Sequence, residues 1–392
     1  MTACPICRDS DTLPMLSLKH QPVYQHPVAD PGMIAPPYFK NLGFEFCRTC
    51  SHGFQKDFDL DLLRRIYTQY YYTPRPPGIG TRMQETFMAA ITQNFHLDFD
   101  RCRMLEIGCS SGEVLVRMGQ HYRDVECVGF EPSRVSAQKA RALGITVVEN
   151  FFSAQSTASI DQPFDLIFHR HVIEHVADPE DFFAVHNRVC HDYSILVVET
   201  PCLDEVAATV SLAPFHIEHI HLFSIKSLST LLARYGWFLK GCKRTDAQNM
   251  ITWFDRKGPA IPVQGISGTP DFSEWIRQNQ MRIDKAVENR KLALWGAGSG
   301  GIKIVNHFGL TPEVIIDSNP LKKGMGFPGF KKLTIAYAPD WLDKELAHSR
   351  SWLILIASTY YQEIQAQLDA LGWQGEVISP YQVTDPQPGG SI

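Results

Sequence analysis

This 392-residue sequence has little that would suit it to a membrane or to nucleic acid. No apolar run approaches the ~18 residues needed to cross a bilayer. The first residues, MTACPICRDS, lack the charged-then-apolar layout of a signal peptide. The formal charge of −5 gives no broad basic field, which argues against a nucleic-acid backbone as the main partner. Short-period repeats and low-complexity tracts are also lacking. The expected setting is the cytosol, where thiols stay reduced and cysteines are read first as ligands, core residues or nucleophiles.

Four of the ten cysteines stand apart from the rest. Cys4 and Cys7 form CPIC, and Cys47 and Cys50 form CRTC. Thiolates two residues apart reach one tetrahedral ion, because the intervening turn directs both sulfurs to one side. The two pairs together predict a structural zinc that closes the loop between them, with no coordination position left open for catalysis. The remaining cysteines sit in apolar or strand-like contexts and read as core.

The length suggests two or three domains. Residues 1–75 carry many prolines and few helical periodicities, which fits a small metal-stapled module. The passage YTQYYYTPRPPGIGTR marks a boundary. Over 76–255, near-continuous apolar strands (CRMLEIGC, ECVGFEPS, ITVVEN, FDLIFHRHV, SILVVETP) alternate with helices, which predicts a parallel sheet covered on both faces. DRKGPAIPVQGISGTPD marks a second boundary, and a smaller strand–turn–helix unit follows over 271–392. The fold class is α/β, with two Rossmann-like units of unequal size.

LEIGCSSGEV ends a buried strand and opens a helix, and Gly108 and Gly112 let the backbone approach a ligand without Cβ interference. One βα unit later, Glu131 ends a strand where a carboxylate accepts ribose hydroxyls. Glu106-x-Gly108-x-Ser110-x-Gly112, Glu131, the FDLI strand at 164–167 and HVIEHVADPEDFF resemble the class I S-adenosylmethionine-dependent methyltransferases. The resemblance implies that Glu106, Gly108, Cys109, Ser110, Gly112, Glu131 and Pro132 hold the methyl donor. It places Asn150 near the adenine, with His169 and His171 facing the cleft. Glu174-His175 at the helix start reads as capping and packing, with ligand or divalent-ion contact as the alternative.

A second glycine turn, WGAGSGGIKI, has the spacing of a dinucleotide fingerprint, with Asp317 ending the next strand. Read alone it predicts NAD binding; equally, a glycine turn at a helix start serves the diphosphate of a nucleotide-sugar. The order CPIC, CRTC, EIGCSSG, IEH, WGAGSGG, DSNPLKKGMGFPG resembles the three-domain sugar C-methyltransferases. That likeness implies a zinc module, a central methyltransferase and a C-terminal Rossmann-like domain. It also implies a nucleotide-linked keto-deoxysugar as substrate, contacted by Tyr70, Gly298, Ser299, Gly300, Asp317 and Lys323.

FHIEHIHLFS, residues 215–224, is the counterpart of a Tyr-x-Glu-His pattern in that group, with His216 in the tyrosine's place. On that likeness His219 is the base that removes a proton beside a ketone, and Glu218 orients it or binds a sugar hydroxyl. His216 or Tyr72 would then donate to the enolate oxygen, and Ser224 would cap the next helix. A metal site among His216, Glu218, His219 and His221 is an alternative. An extended segment would let only alternate residues share the ion. O-methylation of a sugar or small metabolite would use the same base, and a non-catalytic nucleotide-binding module is a further reading. The oligomeric state has no signature in the sequence.

Overall fold

The computed structural model describes residues 3–69, 79–95, 102–122, 124–209, 211–245, 247–330, 333–358 and 361–380. Near the N-terminus the chain turns at each cysteine pair, Arg8 N–H donating to the Cys4 carbonyl and Ser51 N–H to that of Cys47. Arg8 and Ser51, each just after a CxxC pair, lie in the left-handed region with φ of 65° and 58°. Three strands, β1 (Thr12–Pro22), β2 (Phe39–Cys47) and β3 (His52–Lys56), form an antiparallel meander. Helix α1 (Leu60–Gln69) follows, its first turn capped by the Asp59 carboxylate on the Leu62 amide. The fourth strand of this sheet comes from far along the chain. Strand β9 (His221–Leu222) pairs with β3, Phe54 opposite His221 and Gly53 opposite Leu222.

The central sheet contains β4 (Arg103–Ile107), β5 (Glu126–Phe130), β6 (Thr146–Val148), β7 (Phe164–Arg170), β8 (Cys190–Pro201), β10 (Phe238–Arg244) and β11 (Asn249–Asp255). Their order is β6-β5-β4-β7-β8-β11-β10. Successive side chains of a strand point to opposite faces, and here both faces are apolar. Met104, Leu166, Phe168 and Val197 pack with α2 (Ile79–Asn94) and α3 (Glu113–His121). Leu105, Ile107, Ile167, Leu196 and Val198 pack with α5 (Pro179–Val189) and α7 (Ile225–Ala233). Helix α4 (Arg134–Ala142) connects β5 to β6, and α6 (Leu203–Thr209) follows β8.

The sheet departs from an all-parallel one at β11, which runs antiparallel to both β8 and β10. Strands β10 and β11 are joined by a short turn in which Gln248 N–H donates to the Thr245 carbonyl. A turn that short cannot cross over the sheet, so the second strand must reverse. The order also reverses between β4 and β7. In open α/β sheets the ligand crevice lies beyond the C-terminal ends of such a pair of strands.

A third sheet, all parallel, runs β14-β13-β12-β15-β16. It is built from β12 (Lys291–Trp295), β13 (Val314–Asp317), β14 (Ile335–Tyr337), β15 (Trp352–Ile356) and β16 (Glu376–Ile378). Helices α8 (Ser273–Val287), α9 (Ser299–His307), α10 (Ala338–Glu345) and α11 (Tyr361–Ala370) accompany it. This unit touches the N-terminal one through a bridge between Val28 and Gly326 and an edge-on contact of Phe39 with Phe330.

The glycines of its first turn differ in what they permit. A Cβ on Gly301 would stand 2.0 Å from the Gly296 carbonyl oxygen, whereas one on Gly298 would meet nothing within 4 Å. Gly301 is therefore required by packing, and Gly298 leaves backbone open. Gly301→Ala is expected to cost more than about 2 kcal/mol, and Gly298→Ala to stay within about 0.5 kcal/mol. Denaturant midpoints check this, and equal effects at the two positions would contradict it.

Candidate active site

The first glycine turn follows β4. Gly108, Ser110 and Gly112 all have positive φ, at 74°, 50° and 78°. Space as well as φ demands glycine here, since a Cβ on Gly108 would lie 2.7 Å from Val172 Cγ2 and one on Gly112 2.9 Å from Ala140 Cβ. The first of these contacts brings the loops after β4 and β7 against each other at the point where strand order reverses.

Two carboxylates attend this bend. Glu131 accepts from the Ser110 amide at 2.9 Å and the Ser133 amide at 2.7 Å, and burial raises its pKa. Each of its oxygens keeps a second lone pair for a ligand hydroxyl. Glu106 Oε2 is buried with no hydrogen-bond partner among the described residues. Burial pushes the Glu106 carboxyl up to about 8, with Arg170 only partly opposing it. An orphaned carboxyl oxygen beside the glycine bend suits a ligand that brings its own donor, such as the ammonium of an amino acid.

The loop after β7 is strained and polar. His171 lies just past the strand at φ 53°, a conformation rarely adopted by a residue with a side chain. Its Nδ1 lies 3.1 Å from Glu174 Oε1, and its Nε2 lies 3.4 Å from Asn249 Nδ2. Glu174 is buried, and its Oε2 accepts from the Thr200 hydroxyl at 2.9 Å. Burial alone would raise the Glu174 pKa, but its hydrogen bond to His171 leads the effects that bring it down to about 2. This carboxylate is ionised at neutral pH.

The histidine segment is a turn rather than an extended strand, His219 N–H donating to the His216 carbonyl at 3.1 Å. Its apolar members, Phe215 and Ile217, bury into the N-terminal core, where Phe215 meets Phe44 edge-on. The i to i+3 turn puts His216 and His219 on one side, ring centroids 3.6 Å apart. The Ile220 amide donates to the Glu174 carbonyl, fastening the turn to the loop after β7.

His219 is 8% exposed, and its Nδ1 lies 2.8 Å from the Pro214 carbonyl. A carbonyl only accepts, so Nδ1 carries the proton and Nε2 presents a lone pair. Burial, followed by the unfavourable proximity of the His175 ring, holds the His219 pKa well below the usual histidine range, so the ring is neutral. His175 Nδ1 lies 2.8 Å from the Glu218 carbonyl and 2.9 Å from the Tyr67 hydroxyl. The same logic protonates that nitrogen, so its single N–H is shared between the Glu218 carbonyl and the Tyr67 oxygen, and the Tyr67 O–H proton is left to donate elsewhere. Glu174, His175 and His219 each place one ligand-capable atom within 4.8 Å of the others, a spacing that suits a proton relay as well as a cation.

Several expectations need correction. Glu218 does not orient His219; the Pro214 carbonyl does. The Glu218 carboxylate is half-buried and its pKa is raised by burial. His216, expected as a neutral or protonated donor, is neutral, because burial and then His219 push its pKa well down, and its Nδ1 has no partner among the described residues. A metal shared by alternate members of an extended 216–221 segment is excluded by the turn, and His221 instead pairs with His52 at 3.0 Å. His169, expected at the cleft, is fully buried among Phe182, Phe183 and His186. Lys323 pairs with Asp340 at 2.6 Å on the surface; the lysine beside the second glycine turn is Lys322, bonded to Asp317 and the Ala297 carbonyl. Asp317 also accepts from the Ala297 and Asn319 amides.

Asn150 is exposed just beyond β6, and Pro132 follows Glu131 at the end of β5. Tyr70 and Tyr72 lie outside the described residues. Ser224 caps α7 through a reciprocal pair of bonds with Ser227, as expected. Cys4 Sγ lies 3.6 Å from Cys50 Sγ and Cys7 Sγ 3.5 Å from Cys47 Sγ. These spacings are near the ~3.8 Å edge of a tetrahedron with ~2.3 Å metal–sulfur bonds, and far beyond the ~2.05 Å of a disulfide. Sequence reasoning missed Tyr67, Thr200, Asn249 and Pro214. Only Tyr67, next to the tyrosine-rich passage, had a signal pointing toward it.

Comparison with known proteins bears on the central unit. Residues 79–239 match the family model described as a methyltransferase domain. The central unit is a methyltransferase domain. Ubiquinone biosynthesis O-methyltransferase from Rhizobium johnstonii is 30% identical over 125 residues, covering 30% of this chain and 48% of that protein. The Brucella anthropi protein of the same name is 26% identical over 225 residues, covering 56% of this chain and 67% of its own length. The chain thus spans about half the length of the first curated relatives it matches. An S-adenosylmethionine-dependent methyltransferase structure from Mesorhizobium loti aligns over 46% of this chain and 99% of its own, with a TM-score of 0.35 and 15% identity.

Glu106→Gln separates a ligand-binding role from a structural one. The Glu106 carboxyl is held protonated to about pH 8 in the fold. A group with a raised folded pKa stabilises least above that value, so its stability contribution falls as pH rises from about 4.5 to 8. The amide removes that loss and is expected to melt no lower than wild type at pH 8. It should bind S-adenosylhomocysteine about tenfold more weakly. Unchanged affinity by calorimetry would contradict the assignment.

Proposed function

We propose that the protein transfers a methyl group from S-adenosylmethionine to a small polar acceptor, with His219 as the base. When bound, S-adenosylmethionine supplies an electrophilic methyl group on a sulfonium. The bend at Gly108, Cys109, Ser110 and Gly112 would hold its amino-acid end, with Glu106 accepting from the ammonium. Glu131 would take the ribose hydroxyls, and Pro132 and Asn150 would flank the adenine. His171 stands at the rim of the same crevice.

The observation that carries the reading is the state of His219. Its ring is neutral, its tautomer is fixed with Nε2 bare, and it is fastened to the loop that meets the glycine bend. A base of that kind takes a proton from the acceptor, and the ionised Glu174 carboxylate stabilises the imidazolium that results. Tyr67, which has an O–H proton to give, would hold the developing oxyanion in the part that a tyrosine plays in the sugar C-methyltransferases this chain resembles, where it has His216. Glu218 is free to accept from an acceptor hydroxyl.

For the acceptor, we favour a nucleotide-linked keto-sugar methylated at carbon. The resemblance across the whole chain supports this. So does the open backbone at Gly298, with Ser299 and Gly300 following it at the start of α9, which suits a diphosphate. The second reading is O-methylation, favoured by the activity named for the ubiquinone relatives. Structural zinc on Cys4, Cys7, Cys47 and Cys50 completes the proposal. It is supported by four sulfurs that all lie within 4.8 Å of one another.

The test supplies candidate keto-sugars deuterated beside the carbonyl and a methyl-labelled donor, and follows products by mass spectrometry. Carbon methylation predicts loss of the α-deuterium with gain of the label. His219→Ala is expected to abolish both, with S-adenosylhomocysteine affinity unchanged. Label gained with the deuterium retained would establish the oxygen reading instead. Full activity in His219→Ala would remove His219 as base.

A further inference from the structure

Helix α9 opens from the second glycine turn and carries a lysine into the interior. Lys303 is 4% exposed, walled by Leu18, Gln21, Leu212, Ile304 and His307. Its ammonium makes no ion pair among the described residues. It donates instead to two main-chain carbonyls, Leu212 at 3.2 Å and Ala213 at closer range. The next carbonyl along, that of Pro214, accepts from His219 Nδ1. Three consecutive carbonyls therefore link a cation of the C-terminal unit to an imidazole of the methyltransferase site. An apolar side chain of similar length would fill the space without the cost of desolvating a charge. What the lysine adds is its grip on that loop.

We propose that Lys303 is the positioning residue for the His219 base. By holding the carbonyls of residues 212 and 213 it fixes the Pro214 carbonyl, and through it the tautomer that leaves Nε2 free. The inference rests on His219 acting as the base. It explains why a methyltransferase sheet is combined here with a second α/β unit, because the orientation of the base depends on a helix of that unit. The positive charge also acts through space. Lys303 lowers the pKa of both His216 and His219. The other groups facing His219 are His175, Glu174 and His171 from the loop after β7 and His216 from its own turn. Burial pulls the lysine itself down to about 7.

Lys303→Met and Lys303→Arg in the full-length chain test this, with histidine-¹⁵N NMR as a readout independent of turnover. In Lys303→Met, His219 is expected to lose its single Nδ1–H tautomer. Its imidazole pKa should rise as the positive neighbour disappears, moving the acid limb of the kcat/KM profile to higher pH. The expected kcat loss is at least about tenfold, with S-adenosylhomocysteine affinity unchanged. Lys303→Arg, which keeps the charge and the donors, should recover part of the rate and the tautomer. Should the methionine variant fail to fold, Lys303→Ala with added n-propylammonium replaces it, and restored rate supports the role. An unaltered His219 spectrum and pH profile in Lys303→Met would overturn the proposal while the base reading stands. An active His219→Ala would overturn both.

Discussion

The arrangement depends on one pairing, the addition of β9 to the edge of β3. It draws a segment of the central unit into the sheet of the cysteine module, so that Phe215 and Ile217 bury in that module's core. The polar members of the same segment are left facing the loop after β7. A turn with apolar anchors on one side and imidazoles on the other is held from both directions, by Phe44 behind and by the Glu174 carbonyl in front. The cysteine cluster contributes to the site indirectly. Cys47 ends β2 and Cys50 lies in the turn to β3, and the order of that hairpin sets where β9 can pair.

Electrostatics then divide the roles of otherwise similar groups. Glu106 and Glu174 are both buried carboxyls near the crevice, yet their pKa values are pushed apart, to about 8 and about 2. The difference lies in their neighbours: Glu174 has His171 and Thr200 as hydrogen-bond partners, and one oxygen of Glu106 has none. In the proposed mechanism such a separation would let one carboxyl await a ligand's donor while the other offsets charge formed in the reaction. His219 and His169 show the same contrast. Both are neutral through burial, but His219 is oriented by a carbonyl whereas His169 is packed in rings.

What could be read in the sequence follows from how local each signal is. The bend at 106–112, the acid at 131 and the paired cysteines are encoded within a few residues, by φ requirements and ligand spacing. The strands β4 to β8 announce themselves as apolar runs. Strands β10 and β11 do not, since Gly241 and the charged residues of FLKGCKR break the pattern, and the reversal at β11 follows from a turn rather than from composition. The three-residue edges β14 and β16 are too short to carry any period. At the site, FHIEHIHLFS alternates in sequence and so reads as extended. The turn exists because burial of Phe215 and Ile217 and the bond to Glu174 outweigh that local pattern. Pro214 and Lys303 were invisible because they act through main-chain carbonyls, which leave no mark on residue identity.

The most direct test of the account is a crystal structure with S-adenosylhomocysteine bound. In-line transfer to an acceptor that His219 deprotonates requires the thioether sulfur and His219 Nε2 to face one gap, within about 8 Å of each other. The account predicts that arrangement, with the ribose hydroxyls on Glu131 and the amino-acid end on the Gly108–Gly112 bend. A bound molecule whose sulfur points away from the 216–219 turn, or a His219 with Nε2 buried against protein, would contradict it.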